Sequence, residues 1–224
     1  MIKQHPSIII KSNMRSLDET SNFRSLTSKI DRNYNSDNQI LLSDFTEETL
    51  APKKEKLYFF ENDCMLFIFP LVGAVNLKKS DESVEFIPVN QLKIIDIKKY
   101  NTFSIINPFE DELVSFIYFK LNFCSTSNSI ETINLDFSIS NQLTKTFENQ
   151  KITVSIGKYS LRTDDNYYLE NKTNSLFAFV INGAFEFQNR LLEDKDALLI
   201  WDIENAEFES LTNDALLILL ELKT

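Results

Sequence analysis

The chain has 224 residues, 43% of them hydrophobic and 25% charged, with 19 Phe and 7 Tyr, a balance that supports ordinary apolar cores and excludes an intrinsically disordered chain. Its formal net charge of −10 opposes contact with a phosphate backbone or an anionic lipid surface, so neither nucleic acid nor a membrane is an expected partner. The length fits one large domain or two compact ones.

The first 40 residues are rich in Ser and Asn with scattered Ile and Leu, and are expected either to pack across a folded unit or to stay partly mobile. The only histidine, His5, precedes Pro6 and is expected to be an exposed terminal residue. Ile8-Ile9-Ile10 is too short for a signal-peptide core, and the longest apolar stretch, residues 65–75, has about half the length needed to span a bilayer. A cytoplasmic protein is expected.

Further along, the chain repeats itself. Residues 66–75 match residues 176–185 without a gap, each an apolar run closed by Gly-Ala, at Gly73-Ala74 and Gly183-Ala184. Tyr58 falls opposite Tyr168, and Glu61-Asn62 lies one residue out of step with Glu170-Asn171. Residues 92–97 align with 197–203 if Trp201 is an insertion, Phe103 matches Phe208, and the apolar runs 113–121 and 215–222 close the two copies. These segments are short, rich in Phe, Ile, Val and Tyr, and separated by Asn, Asp, Lys and Ser, which predicts strands and two homologous β-units. The continuous run 65–72 predicts a strand buried on both faces, whereas 203–211 alternates in part. Glycine occurs only at 73, 157 and 183, so Asn and Asp are expected to supply most left-handed turn positions.

The predicted division is 1–122 for the N-terminal segment plus the first unit, 123–150 for a polar linker in which 133–137 adds one strand, and 151–224 for the second unit. Cys64 and Cys124 have no CxxC spacing and no companion histidine, and are expected to be buried reduced thiols.

At the repeated segments the chain resembles the pirin-like bicupins, the group that includes bacterial quercetin dioxygenase-like proteins. The stretch from Ala51-Pro52 through Asp63 to Gly73-Ala74 follows that family's pattern, and residues 191–222 resemble its C-terminal cupin. The resemblance implies an all-β fold of two cupin (jelly-roll-type) β-barrels in one chain. It also implies, in the first barrel of family members, an iron held by two histidines one residue apart and by a later histidine and glutamate one residue apart. Residues i and i+2 of a strand share a face, so that spacing can converge on one metal. Counting from Pro52 and Gly73 places Phe59 and Glu61 at the first two positions; counting from Pro88 places Thr102 and Ser104 at the later two, or Phe103 and Ile105 after a one-residue shift. Either register leaves Glu61 as the sole candidate ligand, so no metal and no other cofactor is expected. The second-barrel equivalents are Leu169, Asn171, Glu207 and Glu209. A Glu-x-Glu pair can hold a hard cation or move a proton, but the intervening Phe208 favours a solvated outer face for both carboxylates.

Three function classes follow. A first-barrel cavity lined by Phe59, Glu61, Phe67, Phe69, Thr102 and Ser104 predicts a non-catalytic, regulatory or binding protein for an apolar or aromatic small molecule, or for a protein partner. The same phenylalanines could instead fill the core. An enzyme, either a quercetinase-like oxygenase with an altered site or a metal-free isomerase or lyase using Glu61 or Tyr58, is the alternative, although no Ser-His-Asp or Cys-His pair can be built. A scaffold with two solid barrels is the third.

Overall fold

The computed structural model describes residues 5–30, 42–99, 101–123 and 130–224. Strand β1 (Ser7–Ile10) is followed by a 3-10 turn at Ser12–Met14, the only helical element among the described residues, and nothing there is long and apolar enough to cross a membrane as a helix. One compact unit, Arg15–Leu135, contains β2 (Ser16–Glu19), β3 (Phe23–Lys29), β4 (Leu42–Leu50), β5 (Glu55–Phe59), β6 (Cys64–Val72), β7 (Ala74–Lys79), β8 (Val84–Pro88), β9 (Gln91–Ile97), β10 (Thr102–Ile106), β11 (Val114–Leu121) and β12 (Ile130–Asn134). The other, Asp136–Thr224 together with the N-terminal segment up to Met14, contains β1, β13 (Gln142–Glu148), β14 (Ile152–Tyr159), β15 (Asp164–Tyr168), β16 (Ser175–Asn182), β17 (Phe185–Phe187), β18 (Arg190–Leu192), β19 (Ala197–Trp201), β20 (Asn205–Ser210) and β21 (Ala215–Leu222).

The two units share one strand order apart from the edges of their larger sheets. The larger sheet runs β12-β9-β6-β11-β4-β3-β2 in the first and β1-β19-β16-β21-β14-β13 in the second; the smaller runs β5-β10-β7-β8 and β15-β20-β17-β18. This is the duplicated jelly-roll arrangement of a bicupin, with each barrel built from two separate sheets and not closed by one continuous ladder. Gly73 and Gly183 occupy the same corner, between β6 and β7 and between β16 and β17, at φ of 70° and 83°. Left-handed backbone favours glycine at both.

The ladders also fix the internal alignment. With the two glycines equated, Asn76 opposite Ile106 and Glu186 opposite Glu209 make Ile106 equivalent to Glu209, so Ile105 corresponds to Phe208 and Phe103 to Ala206. Tyr58, opposite Phe103, then corresponds to Tyr167, opposite Ala206. The sequence pairs Phe103–Phe208 and Tyr58–Tyr168 are therefore out of register by two residues and by one. The link from β15 to β16 is longer than that from β5 to β6, and a gapless reading cannot absorb the difference.

The first core gathers Leu66, Ile68, Val75, Leu77, Ile95, Phe103, Ile105, Val114 and Phe116; the second gathers Leu176, Ala178, Val180, Phe185, Phe187, Ile200, Phe208 and Leu217. Burying each such Leu, Ile or Phe contributes about 1.5–3 kcal/mol, which is what holds the two sheets of a unit together. β6 is apolar throughout because it is covered on both faces. Leu66 and Ile68 point into the core, while Phe67 points the other way and stacks on Phe119 at 4.5 Å, which in turn lies 5.2 Å from Phe45. Cys64 is buried in the first core; Cys124 lies outside the described residues.

Three expectations change. The segment before Met14 sits with the second unit, where β1 pairs with β19, so the 1–122 range does not form one body. The 123–150 linker contributes to both units: β12 extends the first unit's larger sheet and β13 the second's. Among the described residues, left-handed turns outside glycine fall at Lys53, Glu82, Arg162, Gln188 and Lys195 as well as at Asn141, Asn189, Asp202 and Asp214, so there Asn and Asp do not supply most of them.

Candidate functional site in the first barrel

The interior of the first barrel is set by the phase of β5 and β10. Tyr58 is buried and pairs with Phe103, while Phe59, one residue on, is 57% exposed on the outer face. Phe60 returns to the interior, and Glu61 beyond it is exposed. On β10, Phe103 and Ile105 face inward; Thr102 is half-buried, and Ser104, though buried, lies between Leu57 and Lys78 on the other face. Phe67 and Phe69 occupy the face of β6 opposite Leu66 and Ile68. None of the six residues expected to line a cavity, Phe59, Glu61, Phe67, Phe69, Thr102 and Ser104, therefore belongs to the interior cluster. A one-residue slip exchanges the two faces of a strand, and the shifted register, with Phe103 and Ile105 inward, is the one adopted.

Aromatic rings fill the inward-facing positions. Tyr58 stacks on Phe103 at 5.0 Å, Phe60 stacks on Phe103 at 5.4 Å, and Tyr118 meets Tyr58 edge-on at 5.4 Å. Such pairs add about 0.5–1.5 kcal/mol each beyond the area they bury.

One end of this stack is polar. Glu48 on β4 lies opposite Ser25 of β3 and Phe116 of β11, and it is fully buried. Its Oε1 is 2.7 Å from the Nζ of Lys56, whose side chain is 20% exposed. That ammonium also donates to Ser25 Oγ at 2.9 Å and sits 3.9 Å from the centre of the Phe23 ring and 5.5 Å from that of Tyr58. The Tyr58 hydroxyl and Ser25 also hydrogen-bond the Glu48 carboxyl, so the buried acid is answered by a cation and two hydroxyls. Burial raises the Glu48 carboxyl above its ordinary range, with Lys56 pulling the other way. Burial also holds the Tyr58 phenol well above its usual value and pushes Tyr118 up to about 12, and in both cases the nearby Glu48 charge adds to the effect. The sequence reading missed Glu48 and Lys56. The available signal is that Glu48 is two residues from Leu50 and Lys56 two from Tyr58, which places each on its strand's inner face.

In the second barrel Glu207 is exposed, Phe208 buried and Glu209 half-buried, so both carboxylates point outward. They border an open depression of about 520 Å³ with Asp164, Asp165 and Glu186. Leu169 packs against the core and Asn171 is exposed. The buried Glu221 is saturated, accepting from the Tyr167 hydroxyl at 2.7 Å, the Glu170 amide at 2.8 Å and Asn174 Nδ2 at 2.6 Å. His5 is half-buried, not an exposed terminal residue, and its Nδ1 hydrogen-bonds the Asp202 carbonyl at 2.8 Å. Among the described residues no group of three or more His, Cys, Asp and Glu side chains is arranged to hold a metal ion.

Residues 144–222 match the family model described as the quercetinase C-terminal cupin domain. Among solved structures the chain is similar to the bacterial pirin YhhW of Escherichia coli, crystallised with nickel(II), at 13% identity over 97% of this chain and 99% of that one, with a TM-score of 0.81. It is similar to YhaK of Escherichia coli at 14% identity over 89% and 94% (TM-score 0.77), and to a quercetin 2,3-dioxygenase of Acinetobacter baumannii at 11% over 100% and 88% (TM-score 0.75). At these identities the likeness is one of fold. No curated protein matches the chain in sequence. The inward-facing side chains here, Tyr58, Phe60, Phe103 and Ile105, offer one phenol and neither imidazole nor carboxylate.

Proposed function

We propose that this chain, which has the bicupin fold and a C-terminal unit matching the quercetinase C-terminal cupin model, is a metal-independent, non-catalytic pirin-like binding protein of the cytoplasm, whose first barrel has exchanged a metal centre for an aromatic stack with a polar end. The observation that carries this reading is the packing of Tyr58, Phe60 and Phe103 against one another at 5.0 and 5.4 Å where inward-facing ligands would have to converge. Oxygenase chemistry needs an open coordination site, and stacked rings leave none there. Ligand recognition then falls to the Glu48–Lys56–Tyr58 end, where a buried carboxylate, an ammonium and a phenol lie together.

The test is metal analysis of the purified protein, followed by melting with added Fe, Mn, Ni or Zn and an assay over flavonols. A metal bound only by the folded state adds about 2.7 kcal/mol at one hundred times its dissociation constant, a shift that is easily seen. The expected outcome is an unchanged Tm, a metal content that Glu61→Gln does not alter, and no flavonol turnover. Near-stoichiometric metal or measurable turnover would overturn the reading.

A further inference from the structure

The smaller sheet is built twice, and its two outer faces differ in kind. In the second unit Tyr168 and Leu191 are exposed, but they stand among Asp164, Asn166, Glu186, Glu207 and Glu209. In the first unit Leu57, Phe59, Val84 and Phe86 are exposed at 66%, 57%, 55% and 57%. Because Tyr58 corresponds to Tyr167, Leu57 takes the place of Asn166 and Phe59 that of Tyr168. The second unit builds the same sheet with polar residues there, so the fold itself does not require this apolar surface.

The four side chains are arranged as two ridges. Leu57 and Phe59 belong to β5 and Val84 and Phe86 to β8, the two edge strands, and one row runs from Leu57 through Ser104 and Lys78 to Val84. Three strand spacings separate the ridges, about 14 Å, and the floor between them is made of Thr102, Ser104, Asn76 and Lys78. A two-fold axis parallel to the strands would set the β5 ridge of one copy on the β8 ridge of another, with Leu57 facing Val84 at both ends of the row. A foreign partner would have to supply two such ridges at that spacing, whereas a second copy already carries them.

Area and charge agree with that occupant. A phenylalanine side chain can bury 150–250 Å², so at these exposures the four residues present on the order of 400 Å². A standard interface takes about 800 Å² from each partner and is a little over half non-polar, roughly 450 Å². Two chains of net charge −10 repel each other, and this face adds little to the repulsion, since Lys78 is answered by Glu82 at 2.7 Å and Glu55 is the other charge on the floor and ridges. The acidic face of the second unit could not self-associate in the same way.

We infer that the outer face of the first unit's smaller sheet is a homodimer interface, in which the Leu57–Phe59 ridge of one copy packs on the Val84–Phe86 ridge of the other.

The experiment is sedimentation equilibrium of the full chain from about 1 μM to about 1 mM. The mass is expected to rise from 26.0 kDa towards twice that value and to stop there, because a two-fold contact closes on itself. Phe59→Asp and Phe86→Asp, both at exposed positions, should each weaken association by about thirtyfold or more, the loss expected of a central interface residue. Tyr168→Asp, the same change at the equivalent place in the second unit, should leave it intact. Leu57→Lys and Val84→Glu should each dissociate the dimer, and an equimolar mixture should restore it, since one end of the row then joins opposite charges and the other end is native. A chain that stays at 26.0 kDa throughout would overturn the inference, as would a mass that grows past twofold. So would a dimer that both aspartate variants leave intact, one that Tyr168→Asp dissociates, or a mixture that associates no better than its components. Unchanged melting of the dilute variants separates lost association from lost folding, and the wild-type mass decides the matter even if a variant fails to fold.

Discussion

Glu48 carries a pH dependence that can be signed. Its carboxyl is raised in the folded state above its ordinary value of 4.5, so folding binds its proton more tightly than the unfolded chain does. The stabilisation from that proton is complete below the unfolded value and is lost as pH rises through the folded one. Glu48→Gln keeps the neutral shape at every pH. Between about pH 4 and about pH 8 the melting temperature of the wild type should therefore fall relative to the Gln variant, and parallel Tm–pH curves would refute the assignment. A second residue-scale expectation concerns the corner glycines. At Gly183, with φ at 83°, an added Cβ would overlap Thr212 Oγ1 and come within 3.1 Å of the Ala215 Cβ, whereas at Gly73 the nearest atoms are ends of the Phe109 and Val114 side chains at 3.0 Å. Thr212 also accepts the Ala184 amide at 3.1 Å, so displacing it loses a hydrogen bond. Gly183→Ala should cost more than Gly73→Ala, on the order of 2 kcal/mol or above in urea unfolding, and equal costs would count against this account. At this scale the sequence is least legible. Counting from Pro52 establishes distance along the chain and not the phase of the pleat, and the left-handed Lys53 in the turn before β5 is not a residue type that announces itself. Phe59 and Glu61 thus stand in for Tyr58 and Phe60.

The strands themselves are legible where burial is two-sided. β6 and β16 carry uninterrupted apolar runs because successive residues on both faces are buried, and the duplicated fold can be read from them alone. Edge strands carry no such signal. β12 lies beside β9 in one unit and β1 beside β19 in the other, so a strand from the start of the chain fills in the second unit the place that the following segment fills in the first. Nothing in a Ser- and Asn-rich stretch marks that exchange, since pairing at an edge needs backbone and little else. The docking of β1 is still specific. Ile10 is buried at 9% exposure opposite Ala197, the Ser12 amide donates to the buried Asp196 at 2.8 Å, and Lys11 pairs with the same carboxylate. Trp201, half-buried at the end of β19, donates its amide to the Pro6 carbonyl at 3.2 Å and so reports on this edge. Ile10→Ala should lower the denaturation midpoint seen by Trp201 fluorescence, corresponding to about 2 kcal/mol. An unmoved Trp201 transition would mean that β1 rests on the edge without stabilising it.

Across the whole molecule 33 acidic residues oppose 23 basic ones, and the surplus is not spread evenly. On the outer face of the smaller sheet in the second unit, Asp164 and Glu186 both lie directly opposite Glu209, one on each neighbouring strand, with Glu207 two residues away. Like charges directly across a ladder are destabilising, and the cation that answers them, Arg162 at 3.0 Å from Glu209, is 69% exposed, where an ion pair is worth little. The surface pairs elsewhere, Lys78 with Glu82 and Lys53 with Glu110, have similarly exposed carboxylates. Repulsion should therefore outweigh attraction in the summed surface electrostatics, and added salt should stabilise the fold. From about 10 mM to about 200 mM sodium chloride the screening length drops from roughly 30 Å to below 10 Å, enough to uncouple the carboxylates of this row from the rest of the charge. The melting temperature should rise over that range at constant pH, and Glu209→Gln should both raise it at low salt and flatten the rise. A Tm that falls with salt would show that the paired charges dominate, and a rise that Glu209→Gln leaves unchanged would move the source of the repulsion away from this face.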